Sequence, residues 1–275
     1  MLAAAFVAAS ATAAPRILVV TTTMGYRHSS IETAEKTIAE LGRSSGLYEV
    51  DFASVAPPKD PGANATEAQQ AAHRTEQTAY AEKIRAVLAA KMNPQALKGY
   101  DGVVFASTTG ELPLPDRDAF IRWVRDGGAF VGIHSASDTL HDYPPYREML
   151  GGEFDVHHEQ VVIEAINVDP SHPANRLLGA TWSLQGKKEE IYLFRNYLRP
   201  SLHELLVLDR HPNTGAPGHF GISWCREFGM GRVFYTSLGH NEHLWQMPEF
   251  RQHILGGIGW ALKLAARQPA RGPTP

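Results

Sequence analysis

Residues Gly127–Thr139 read GGAFVGIHSASDT: a turn, a short apolar strand from Ala129 to Ile133, then small polar residues. In α/β hydrolytic enzymes a nucleophile occupies such a sharp strand-to-helix turn, as Ser does in G-x-S-x-G. Here the turn residue is His134, so the frame of an elbow is present with no Ser or Cys on it.

The same pattern recurs on both sides. RILVVTTT (Arg16–Thr23) is a run dominated by β-branched residues, long enough for a strand buried on both faces. It leads through Met24–Ser30 into IETAEKTIAELGRSSG, where Ile31, Ala34, Ile38 and Leu41 recur at helical spacing behind a Ser29 or Ser30 N-cap. YEVDFA (Tyr48–Ala53) alternates as a strand, and the Pro-, Gly- and Asn-rich stretch Pro57–Thr66 reads as a loop. Glu67–Met92 is polar and Ala-rich, with a weak stripe at Tyr80, Ile84, Val87 and Leu88, and is expected to be a surface excursion. The run GVVFAST after Asp101 is a further buried strand. A helix is expected from Leu114-Pro115-Asp116, with Phe120, Trp123 and Val124 facing the core. The second half adds HEQVVIEAINV, ELLVLDR, GHFGISWCREF and GRVFYTSLG as strands, and a closing helix from Pro248 to about Ala266. Uniformly apolar strands alternating with helices predict a parallel sheet covered on both faces. The expectation is one doubly wound domain over residues 15–267, its strands ending at Thr23, Ser107, Ile133 and Leu238 and pointing to one edge.

Composition narrows the partners. The chain of 275 residues is 43% hydrophobic and 20% charged, with a formal charge of −3. That is no basic footprint, so nucleic acid is not expected to bind. No later stretch is long and apolar enough to span a bilayer. MLAAAFVAASATAAPR is small and apolar with Ala11-Thr12-Ala13 as an A-x-A site, though it lacks a basic n-region. Residues 1–14 are therefore expected to be a truncated signal peptide. With Cys225 as the single cysteine no internal disulfide forms, which fits a periplasmic or secreted bacterial protein large enough to need no staples. Residues 268–275 are expected to be a disordered tail.

Thirteen histidines are more than usual, and three fall at strand ends: His28 after the first strand, His134 at the elbow, and His240 after VFYTSLG. In open parallel sheets the binding crevice lies beyond the carboxyl ends of the strands, so the fold would bring all three to one edge. Glu190 in KKEEIYLF and the pair His157-His158 are further candidates. Glu189 could equally be the inward carboxylate, because neighbours on a strand point to opposite faces. Imidazole with carboxylate suits zinc or another divalent transition metal. The same groups suit general acid–base work near neutral pH.

In RILVVTTTMGYRHSSI, YDGVVFASTTGELP, GGAFVGIHSASDT, HPANRLLGA, KEEIYLF and GRVFYTSLGHNEHLW the chain resembles the trehalose-utilisation (ThuA-like) proteins. The resemblance runs from about Arg16 to Leu264 and implies a class I glutamine amidotransferase-like fold, a flavodoxin-like three-layer α/β/α sandwich with a mostly parallel sheet. In that superfamily the elbow carries Cys and a His-Pro-Glu triplet follows a later strand. This chain has His134 and Gly239-His240-Asn241-Glu242 there, while Cys225 lies inside the predicted strand GISWCREF. A thiol-ester glutaminase mechanism is not expected.

The family resemblance also implies catabolism of sugars and disaccharides, often alongside dehydrogenases that make 3-keto sugars. A C–H beside a keto group can be deprotonated, and a metal or imidazolium would stabilise the enediolate. The expectation is an exported enzyme acting on a sugar, disaccharide or keto-sugar by lyase, isomerase or hydrolase chemistry. His134, His240 and Glu190 would be catalytic, and His28, His134 and His240 would ligate a divalent metal such as zinc. His28, Tyr26, Asp138, Tyr143 and Trp245 would hold the carbohydrate. The alternative is a non-catalytic sugar-binding module on the same fold. His134 is expected to be exposed and to pack little, so that its loss would leave the melting temperature unchanged.

Overall fold

The computed structural model describes residues 13–264; the expected signal peptide, up to residue 12, and the tail lie outside the described residues. The first half alternates as the sequence predicts: β1 (Arg16–Val20), α1 (Ile31–Ser45), β2 (Glu49–Ala53), α2 (Glu67–Lys91), α3 (Pro94–Leu97), β3 (Gly102–Ala106), α4 (Arg117–Arg125) and β4 (Ala129–Ile133). A 3₁₀ turn, His134–Asp138, then leads to α5 (Pro144–Leu150). The second half is mostly strands: β5 (Glu153–His157), β6 (Ala165–Asn167), β7 (Thr181–Trp182), β8 (Tyr192–Arg195), β9 (His203–Arg210), β10 (Pro217–Phe228) and β11 (Gly231–Thr236), closed by α6 (Pro248–Ala261).

One nine-stranded sheet carries the molecule, in the order β2-β1-β3-β4-β11-β10-β9-β6-β7. The five strands from β2 to β11 are parallel. Strands β10, β9, β6 and β7 extend them in antiparallel pairing. The parallel half has the flavodoxin-like order, with the chain reversing direction across the sheet at β1 and β3. Alternate residues of each strand feed opposite cores. Ile17, Val19 and Val104 pack with α1 and α6, whereas Leu18, Val20, Val103 and Phe105 pack with α2, α3, α4 and α5. Both faces are covered, which is why these strands read as unbroken apolar runs.

Two expectations change. HEQVVIEAINV is strand only at Ala165–Asn167; Val161 makes an isolated bridge to Glu189, and Val162 is exposed. The closing helix ends at Ala261, where Leu262 and Lys263 turn out of it. Helix α2 is a surface excursion, as expected, burying only Ile84 and Leu88 of its stripe. A ribbon of β5 and β8, separate from the main sheet, was not legible as a pair. Among the described residues no helix is long and apolar enough to cross a membrane.

Candidate metal centre

The loops that follow β1, β4 and β11 leave the same edge of the parallel half-sheet. Ser30, which ends the loop after β1, donates its hydroxyl to Gly239 O in the loop after β11, 3.0 Å away. The loop after β3 backs the loop after β1: Gly110 has φ 75°, and a Cβ there would stand 2.9 Å from Gly25 N. Glycine is required where two backbones approach so closely.

His134 sits at the elbow with φ 53°, a conformation uncommon for any residue but Gly, Asn or Asp. It is fully buried rather than exposed, because the loops after β1 and β11 and the β5–β8 ribbon close over it. Its Nδ1–H donates to Ser237 O at 2.8 Å. A carbonyl can only accept, so in the neutral ring Nε2 carries a free lone pair.

Four groups converge on that lone pair. His28 Nε2 is 3.1 Å away, His240 Nδ1 3.3 Å, the Tyr192 hydroxyl 3.3 Å and Glu190 Oε1 3.7 Å. His240 Nδ1 and Glu190 Oε1 are themselves 3.2 Å apart. One ligand atom from each of His28, His134, Glu190 and His240 lies within 4.8 Å of all the others. Nitrogen and oxygen ligands at about 2.0–2.1 Å from a tetrahedral ion stand about 3.3–3.4 Å from one another, and the contacts of 3.1, 3.2, 3.3 and 3.7 Å within the cluster bracket that spacing. These four residues could hold a divalent metal, and the hydrogen bond to Ser237 is the outer contact that aims a ligating histidine.

The adjacent carboxylates divide the work. Glu189 is fully buried and accepts from Gly239 N at 3.1 Å, His240 N at 2.7 Å and Asn241 Nδ2 at 2.9 Å, fixing the loop that carries His240. Glu190 faces the cluster and also meets His157 Nδ1 at 3.1 Å. His158 stays outside, its ring beside His211.

The protonation states follow from this packing. Burial, then the nearby His240, push His28 down to about 4. Burial, then His28, hold His134 well below the usual histidine range. Burial also works against a charge on His240, but the hydrogen bond and charge of Glu190, with Glu189, outweigh it and raise His240. Glu190 is depressed in turn: burial is its largest influence and opposes this, and His240 and His157 overcome it. The cluster thus offers two neutral imidazoles, on His28 and His134, and an ionised carboxylate, the forms in which these side chains ligate, while His240, held as a cation by Glu190, would release its proton to a bound ion.

Of the remaining sequence candidates, Tyr26 is 68% exposed and stands edge-on to His28, ring centroids 4.8 Å apart, at the mouth of the site. Asp138 ends the elbow turn and binds His141 Nε2 at 2.6 Å, while its negative charge acts on His28. Two candidates are elsewhere. Trp245 is fully buried and donates Nε1–H to Gly239 O at 3.0 Å, so it props the loop from within the core and offers no face to a sugar. Tyr143 is taken up by α4, its hydroxyl bonded to Asp118 and its ring facing Arg117. Tyr192, whose ring lies 4.6 Å from that of His134, was missed as a site residue. The only signal for it was its place two residues after Glu190, which also fits a core aromatic.

Fold and site together define an α/β sandwich with a flavodoxin-like half-sheet, whose elbow carries one histidine of a three-histidine, one-glutamate cluster. The chain belongs to the ThuA family, described as trehalose utilisation and so tied to carbohydrate metabolism, whose sequence profile matches residues 16–261. Among solved structures it is similar to a ThuA-like protein from Parabacteroides merdae, at 16% identity and TM-score 0.66, covering 93% of this chain and 92% of that one. A ThuA-like protein from Bacteroides uniformis matches at 18% identity and TM-score 0.64, over 92% and 94% of the two chains. A β-galactosidase from Bacillus circulans sp. alkalophilus shares the fold at 10% identity and TM-score 0.50, over 90% of this chain but 31% of the larger one. No curated protein matches the sequence.

Proposed function

We propose that this chain is an exported, metal-dependent enzyme of carbohydrate catabolism that acts on a sugar, disaccharide or keto-sugar. The observation that carries the reading is the convergence of His28, His134, Glu190 and His240 at the carboxyl ends of the parallel strands. A divalent ion held there would supply a Lewis acid to a carbonyl or hydroxyl oxygen of the sugar. The chain's own groups do the rest. His134 and His28 stay neutral and keep lone pairs available. The buried Tyr192 hydroxyl is a hydrogen-bond donor beside the ligand atoms, where a substrate oxygen would develop charge. Tyr26 gives an exposed aromatic face at the entrance against which a sugar ring can lie. Thiol chemistry has no part in this reading: Cys225 is buried in β10, and burial pushes its thiol up to about 12.

Metal analysis of the purified protein, followed by turnover of trehalose and of 3-keto-glucosides with and without chelator, tests the proposal. One equivalent of metal and chelator-sensitive turnover are expected. Saccharide binding that survives chelation, with no turnover of any of these substrates, would overturn the enzyme in favour of a sugar-binding module.

A further inference from the structure

Glu190 reaches the cluster from a segment outside the main sheet. It lies two residues before β8, which pairs only with β5. An isolated two-stranded ribbon is marginal in water, so something must hold it in place if Glu190 is to meet the histidines. Part of the fastening is apolar: Phe194 packs against Trp224 and Tyr235, with ring centroids 5.1 and 5.8 Å away.

The residue before Glu190 is held by the Val161–Glu189 bridge and by the Glu189 carboxylate on the loop after β11; a further fastening is ionic and lies at the far end of the ribbon. His157 pairs with Tyr192 at the cluster end, and Glu153 with Arg195 at the other. Glu153 is 4% exposed and accepts from Arg195 Nη2 at 2.7 Å, His141 Nδ1 at 2.7 Å, Asn196 Nδ2 at 3.0 Å and Arg147 Nη1 at 3.2 Å. The other nitrogen of His141 donates to Asp138 at the end of the elbow turn that begins at His134. A carboxylate on each ring nitrogen makes His141 an imidazolium, and Asp138, first, with Glu153 lifts it to about 9. The groups facing it are Asp138 on the elbow, Glu153 and Arg195 on the ribbon, and Arg147 of α5 through Glu153. The elbow and the ribbon are therefore joined twice, by the donor cluster at one end and by this ion network at the other.

We infer that His141 is a positioning residue for the metal centre: its bridge from Asp138 to Glu153 sets the ribbon on the elbow and thereby holds the Glu190 carboxylate in ligand position. The inference rests on the metal reading above. Outer contacts that orient ligands typically contribute about 10–100-fold to metal affinity.

Cobalt(II) alone is the probe, titrated into chelator-treated wild-type protein and into His141→Leu, Asp138→Ala, Glu190→Gln and the double variant His141→Leu/Glu190→Gln, followed by its visible ligand-field absorption. His141→Leu is expected to bind about 10–100-fold more weakly with an altered spectrum. Asp138→Ala, which opens the other side of the bridge at a more exposed residue, should shift in the same direction. In the Glu190→Gln background the His141 change should cost less than about twofold, because the carboxylate it positions is gone. A merely structural role would give the same loss in both backgrounds. Unchanged affinity in both single bridge variants, or a fully additive double variant, overturns the inference while leaving the metal centre standing. A wild-type protein that binds no cobalt overturns the metal reading itself, and the positioning role with it.

Discussion

Replacing His134 by Ala measures what the elbow side chain contributes to the fold as well as to the site. The imidazole is fully buried and its Nδ1–H satisfies Ser237 O at 2.8 Å. Alanine leaves that carbonyl without its donor, at about 1–3 kcal/mol, and adds a cavity that the rigid strand ends cannot collapse to fill. No electrostatic relief offsets this, because burial and His28 already keep the ring neutral. The positive φ is retained by either residue, so backbone strain cancels to first order. The sum is about 2–4 kcal/mol, and for a domain of this size each kcal/mol lowers Tm by about 2–4 °C. Differential scanning calorimetry in chelator should therefore place the variant about 4–16 °C below wild type. Added zinc should raise the wild-type Tm and leave the variant where it is, since only the former retains the ligand set. A metal-free variant melting within a degree of wild type would refute the argument that this elbow is a packed, hydrogen-bonded core position.

Three other outcomes follow from the same structure, and a fourth from the N-terminal sequence. His141 has a folded pKa near 9 against an ordinary 6.5, so its stabilising effect is complete below about 6.5 and lost as pH rises through about 9. Wild-type Tm should fall more steeply than that of His141→Leu across this window, and parallel profiles would contradict the bridge. Iodoacetamide at pH 8 should leave native Cys225 unmodified and activity intact, because the thiol is 1% exposed and held near 12; rapid alkylation of the folded protein, read by mass spectrometry, would show otherwise. Tyr26→Ala should weaken trehalose binding about two- to tenfold in calorimetry with no change in Tm, the ring being 68% exposed; equal affinities would remove Tyr26 from the site. N-terminal sequencing of protein from its native host should find a start near Ala14, whereas an intact Met1 in the cytosolic fraction would reject export.

The parallel half-sheet was readable in the chain itself. Runs such as ILVV, after Arg16 in β1, and GVVFA are apolar at every position, as a strand covered on both faces requires, and intervening helical stripes supply the covers. That reading also located His28, His134 and His240, because strand ends of a parallel sheet share one edge whatever the sequence distance between them. The ribbon was a different matter. Its strands, EFDVH and YLFR, are short and only partly buried, so their pattern does not distinguish a strand pair from a loop. Whether Glu189 or Glu190 faces the histidines was equally open, since two adjacent carboxylates are equivalent until a bridge such as Val161 to Glu189 sets the register. Trp245 and Tyr143 show the same limit from the other side: an aromatic near a functional loop carries no mark of whether it faces ligand or core. Local pattern determines which segments become strands and helices. Burial, register and hydrogen-bond partners across separations of 51 to 106 residues determine which side chain is aimed at which atom, and those exist only once the chain has closed on itself.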